Sequence, residues 1–257
     1  MITSKHNAKL KLIRALQCRA KERRDAGAFL AEGIRLVEEA HAANWPFCFV
    51  LHDEVLNERG SLLIESLKSR GVECVMVSSS VMKSFSDTES PQGVLAVLNM
   101  FQIPNPESLN FVLIPDQIRD PGNLGTLLRT AAGAGVQSVF IPQETADAFA
   151  PKVVRSGMGA HFRLPIHSLT WDEIKEHTRD LQIYLADASG RSCWEMNLQN
   201  PLALIVGGEA DGASEQARQL ANEKISIPMP GQAESLNAGV AGGVLMFEVI
   251  RQREAKK

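Results

Sequence analysis

No stretch of this sequence reaches the roughly 18 consecutive apolar residues that a membrane-spanning helix needs, so no membrane partner is expected. Its first residues, MITSKHNAKLKLIRAL, lack the apolar core and small-residue cleavage site of a secretory signal. Cys18, Cys48, Cys74 and Cys193 form no CxxC pair, which fits reduced, partly buried thiols better than disulfides or zinc ligands. The six histidines make no HExxH or comparable array, so no metal site is expected. Neither GxGxxG nor GxxxxGK[ST] occurs behind a strand, which excludes a Rossmann or P-loop nucleotide site. By default these absences put the protein in the cytoplasm.

What remains is a globular composition, 44% hydrophobic and 22% charged over 257 residues, long enough for two domains. The net charge of −3 argues weakly against a nucleic-acid partner, but the distribution matters more than the sum. Before Asp25 stand Lys5, Lys9, Lys11, Arg14, Arg19, Lys21, Arg23 and Arg24, against Glu22 alone. Such a stretch either attracts phosphates through counterion release or is a solvated helix face.

Residues 8–24 carry apolar Leu10, Ile13 and Leu16 at helical spacing, which predicts one basic amphipathic helix. FLAEGIRLVEEAHAAN reads as a second helix, PFCFVLHD as a strand, SLLIESLKSRG as a helix, then VECVMVS and GVLAVLNM as strands. This alternation predicts a small α/β domain over residues 1–100, followed by a Pro-containing linker at 101–109. A second domain, 110–257, has strands FVLIPD, SVFIP, IYLAD, LALIVGG and KISIPM, apolar enough for a parallel sheet covered on both faces. Ligands of such sheets bind at the carboxyl ends of the strands.

Three loops stand at those ends. In DPGNLGTLLRTAAGAG, Asn123 suits the cap of a helix starting at Leu124. Arg129 leans back over Gly125, where it either grips a phosphate or carboxylate or makes a surface salt bridge. GGEADGAS approaches a Walker A loop but has Ala213 in place of the lysine; Glu209 projects from it, near a helix N-terminus. In ISIPMPGQAESLNAGVAGG, Ser235 alone would be a helix cap, and Gly239, Gly242 and Gly243 imply close backbone packing.

Together, NxGxxxRxAxxxG, GGExxGxS and IPMxGxxxSLN resemble the motifs of the SpoU (TrmH-like) family, RNA ribose 2′-O-methyltransferases of the SPOUT class. The resemblance covers about residues 108–253. It implies an α/β fold whose parallel sheet ends in a deep trefoil knot, preceded by a smaller domain of ribosomal-protein L30e type that binds RNA. It also implies S-adenosylmethionine as cofactor, held by Gly207, Gly208, Ile227, Met229 and Leu236. Asn123, Arg129, Glu209, Ser235 and Asn237 match the family's catalytic positions. A branched side chain at Gly207 is then expected to enter the cofactor pocket, with added strain if φ there is positive. The implied substrate is RNA, with 23S-type rRNA favoured by the appended domain, and the implied assembly is a homodimer. Alternatives within this resemblance are a tRNA 2′-O-methyltransferase and a non-catalytic knotted RNA-binding module.

Overall fold

The structure, a computed structural model, describes residues 7–86, 91–208, 212–231 and 235–255. It contains two compact units, one of Met1–Phe101 with Phe149–Phe162, the other of Gln102–Ala148 with Arg163–Lys257.

The chain opens with α1 (Ala8–Cys18) and α2 (Ala20–Ala26), then β1 (Ala28–Glu32), α3 (Ile34–Ala42), β2 (Phe47–Asp53) and α4 (Glu58–Ser69). β3 (Cys74–Val77), α5 (Ser79–Lys83) and β4 (Val94–Asn99) complete the first sheet, ordered β1-β4-β2-β3. β4 runs antiparallel to both β1 and β2, and β3 runs parallel to β2. Leu10, Ile13 and Leu16 are fully buried against this sheet's Leu30, Leu51 and Val97. The basic stretch therefore forms an amphipathic helix, but it breaks at Arg19, whose φ of −134° and ψ of 129° are extended. Its charges divide. Lys9 pairs with Glu73 at 2.7 Å and lies over the Phe49 ring; Arg23 is buried and donates to the Leu16 carbonyl. Lys11, Arg14, Arg19, Lys21 and Arg24 stay exposed, with Arg14 over the Phe85 ring.

The stretch expected to be one helix from Phe29 is instead a strand followed by a helix. Phe29 pairs opposite Leu98, and Gly33 turns the chain at φ +100° before α3 begins. Short apolar runs read as either element until a partner strand decides, and only glycine enters that φ region without strain.

The second unit runs β5 (Phe111–Asp116), α6 (Pro121–Gly133) and β6 (Ser138–Ile141); after α7 (Pro151–Gly157) come β7 (Ile166–Ser168) and α8 (Trp171–His177). It ends with β8 (Gln182–Ser192), β9 (Leu202–Gly207), α9 (Glu215–Leu220), β10 (Glu223–Ser226) and α10 (Ala238–Glu254). All neighbours in the order β10-β8-β9-β5-β6-β7 are parallel, as the apolar runs predict. β7 carries no long apolar run and is not visible in the sequence. β8 is longer than its apolar part: Lys224 pairs with Leu185 but Ile225 with Arg191, so residues 186–190 leave the pairing with β10.

Residues 149–162, expected in the second domain, pack with the first unit instead. Phe149 and Phe162 join Phe29 and Trp45 in one aromatic cluster, with Phe149 5.0 Å and Phe162 6.5 Å from Phe29 between ring centroids. Arg155 of α7 also pairs with Glu32 of β1. Burial of these rings outweighs sequence proximity.

The glycines of α10 have a packing reason. A Cβ at Gly239 would meet Thr126 at 3.1 Å, and one at Gly242 would collide with Leu127, both on α6. A Cβ at Gly243 would find Thr130 at an ordinary 3.5 Å. Gly242→Ala is therefore expected to lower stability by about 1–3 kcal/mol through overpacking, since Leu127 is fully buried. Gly243→Ala should instead raise it by up to about 1 kcal/mol through helix propensity. Thermal melting of the two variants checks the opposite signs.

Candidate active site

At the carboxyl ends of β9 and β10, beside residues 186–188 in the middle of β8, lies a cavity of about 270 Å³. Gly207, Gly208, Ile227, Met229, Ser235 and Leu236, all picked out in the sequence, line it together. Val206, Ile225 and Leu245 add an apolar floor. The glycines are required by close backbone approach. A Cβ at Gly207 would stand 2.8 Å from the Ala213 nitrogen, and one at Gly208 would strike the Gln117 carbonyl. A side chain at Gly207 would first meet the backbone of Gly212 and Ala213, which themselves line the cavity, and the condition of a positive φ is met in this loop by Gly212, at φ +69°, and not by Gly207.

Beside this cavity the first and third loops are tied together. Asn237 Nδ2 donates to Asn123 Oδ1 at 2.9 Å, while Asn237 Oδ1 accepts from the Gly239 and Val240 backbone at 3.0 and 3.3 Å. Asn237, not Ser235, is therefore the cap of α10. Asn123 is not a cap either: α6 begins at Pro121, and Asp120 accepts from the Asn123 backbone at 2.9 Å. The proline starts the helix earlier than the apolar pattern does, because its fixed φ suits the first turn. Arg129 is exposed on α6 and is not among the cavity-lining residues. Glu209 lies outside the described residues.

The geometry acquires its family context from comparison with known proteins. The model of the SpoU rRNA methylase family matches residues 110–247. The chain belongs to this family. A further model, the MRM3-like substrate binding domain, matches residues 7–96. An uncharacterised tRNA/rRNA methyltransferase of Synechocystis is 35% identical over 99% of this chain and 94% of its own length. The 23S rRNA (guanosine(2553)-2′-O)-methyltransferase RlmP of Bacillus subtilis is 34% identical over 96% of this chain and 98% of its own. Among solved structures, the SpoU methyltransferase AviRb of Streptomyces viridochromogenes, in complex with AdoMet, superposes with a TM-score of 0.88 at 28% identity. That match covers 97% of this chain and 99% of AviRb.

Within this SpoU chain, three polar residues at the cavity or behind its wall were not singled out in the sequence. Asp116 ends β5 opposite Gly207 and is 1% exposed. Its Oδ2 accepts from the Ser214 backbone at 2.6 Å, and its Oδ1 has no hydrogen-bond partner among the described residues. Burial pushes its pKa above the usual carboxylate range, against the opposing pull of the Ser214 hydrogen bonds. Asp187 lines the cavity from residues 186–190; chiefly the Ser189 side chain, aided by Lys224, holds its carboxyl at about 2. Arg218 of α9 lines it too. Asp116 and Asp187 were findable in principle, since each stands where an apolar strand run stops. Arg218 carries no such signal.

Asp116 fixes the returning loop through Ser214, which also caps α9. Asp116→Ala is expected to cost about 1–3 kcal/mol, the penalty for leaving a backbone donor unmet. Asp116→Asn keeps an acceptor oxygen and should cost less. Urea unfolding of both variants tests the ranking; equal losses would mean that the bond to Ser214 contributes nothing.

Proposed function

We propose that this protein transfers the methyl group of S-adenosylmethionine to a ribose 2′-hydroxyl of ribosomal RNA. The observation that carries this reading is the cavity lined by backbone glycines and apolar side chains, beside the Asn123–Asn237 bond. Such walls suit an adenosine held by backbone groups, and no pyrophosphate has to be accommodated. The bound cofactor would supply a methyl group already activated by its sulfonium. In this reading Gly207, Gly208, Ile227, Met229 and Leu236 hold it, and the protein's remaining task is to orient the hydroxyl and remove its proton.

Asn123, Ser235 and Asn237 orient the loop and that hydroxyl, and Glu209 holds Arg129 or organises the knot. Arg129 contacts the target phosphate and stabilises the oxygen as negative charge develops on it. A protonated guanidinium has no free lone pair with which to act as a literal base. Ribosomal RNA is favoured over tRNA because the first unit matches a substrate-binding domain and RlmP aligns from end to end. The exposed Lys11, Arg14, Arg19, Lys21 and Arg24 give that unit a face for phosphates. The trefoil knot belongs to the same reading, supported by the order β10-β8-β9 and the excursion of residues 186–190. The chain's likeness to the bacterial enzyme RlmP favours the cytoplasm as the compartment.

A homodimer completes the proposal. Val240, Val244 and Phe247 are 51%, 39% and 53% exposed and form one apolar stripe on α10. Their spacing places them on one helix face, and such a stripe favours burial against a partner. Phe247→Glu is expected to yield monomers in light scattering with an unchanged circular dichroism spectrum. A dimer that survives this change assembles through another face.

Arg129→Ala is expected to reduce methyl transfer by about 10²–10³-fold or more, the usual loss for one charge-stabilising donor. Cofactor affinity should stay nearly constant. Single-turnover transfer to unmodified ribosomal RNA, alongside calorimetry with S-adenosylmethionine, separates the effects. Preserved turnover at saturation with a large loss of cofactor affinity would refute the assignment.

A further inference from the structure

The charges in the cavity wall are few. Among the described residues that line it, Arg218 is the one cation and Asp187 the one carboxylate. Their situations differ. Asp187 is already engaged: Ser189 donates to it from backbone nitrogen and hydroxyl at 2.8 and 2.6 Å, and Lys224 pairs with it at 3.0 Å. Arg218 has no acidic partner among the described residues. Its Nε donates to the Ala213 carbonyl at 3.1 Å, which folds the side chain back across the loop that ends β9. Nη2 then stands 3.5 Å from where a Cβ of Gly212 would be. The loop backbone at Gly212 therefore lies beside the guanidinium, and both line the cavity. The fork of donors is oriented by one bond and, among the described residues, otherwise unused.

A guanidinium fixed through Nε presents its remaining donors to a planar anion such as a carboxylate. We propose that Arg218 binds the α-carboxylate at the methionine end of S-adenosylmethionine, the one anionic group that this cofactor carries. The proposal rests on the cofactor reading above and deepens it. Arg218 gives the site selectivity for an amino-acid-bearing sulfonium nucleoside over one lacking the carboxylate. Ala213 and, behind it, the Asp116–Ser214 bond hold the helix start from which Arg218 reaches.

Calorimetry on the full-length protein with S-adenosylmethionine and with decarboxylated S-adenosylmethionine tests this directly. Wild type should bind the decarboxylated ligand about tenfold more weakly, a difference of about 1.4 kcal/mol. Arg218→Gln should weaken S-adenosylmethionine by a similar factor and leave the decarboxylated ligand nearly unchanged. Arg218→Lys, which keeps the charge but loses the fork, should fall between. Equal losses for both ligands, or no loss for either, would overturn the role of Arg218. If Arg218→Gln fails to fold by thermal melting, wild type alone decides, because equal affinity for the two ligands excludes a carboxylate contact. Wild type that binds neither ligand overturns the cofactor reading itself, and this assignment with it.

Discussion

Both ends of the Asn237 amide are committed, and the arrangement around the cavity depends on that. The oxygen takes two backbone N–H groups from the first turn of α10, groups that have no partner within the helix. The nitrogen donates to Asn123 in the first turn of α6. One side chain therefore sets where α10 begins and how its start lies on α6. Gly239 and Gly242 make the approach possible, since any Cβ there would press on Thr126 or Leu127. The stretch from Ser235 to Ala238 is thereby held at the cavity wall, although it makes no strand.

The rest of the cavity is built from backbone that returns upon itself. The loop after β9 comes back close enough to Gly207 that a methyl group would not fit. Asp116 anchors the far end of that loop from inside the sheet. A buried carboxylate is an expensive anchor, as its raised pKa indicates. It is tolerated because one oxygen satisfies a backbone donor in a place that water does not reach.

The sequence was most legible where the signal was physical and local. FVLIPD and LALIV are strands because a parallel sheet covered on both faces requires continuous apolar runs. The cavity-lining residues were reached through the resemblance of three loop motifs to the SpoU family rather than through a physical signal, and the bond between Asn123 and Asn237 was not foreseen. Legibility failed where a distant partner decides. Residues 28–32 are a strand because β4 lies beside them. The cap of α6 moved to Asp120 because proline, not the apolar pattern, starts that helix. Arg218 has no neighbour in sequence that hints at a cavity; only the fold of its side chain onto Ala213 reveals it.

The aromatic cluster of Phe29, Trp45, Phe149 and Phe162 also orders events in time. Nascent chains fold from the N-terminus as they emerge. Yet the first unit lacks part of its core until residue 162 has been made, long after its last strand is finished. During that interval Phe29 and Trp45 have no covering rings from the later segment. The polypeptide between them, β5 through β6, must leave the ribosome before the first unit can close. Maturation of the N-terminal unit is in this way timed by synthesis of the first two strands of the sheet that follows it.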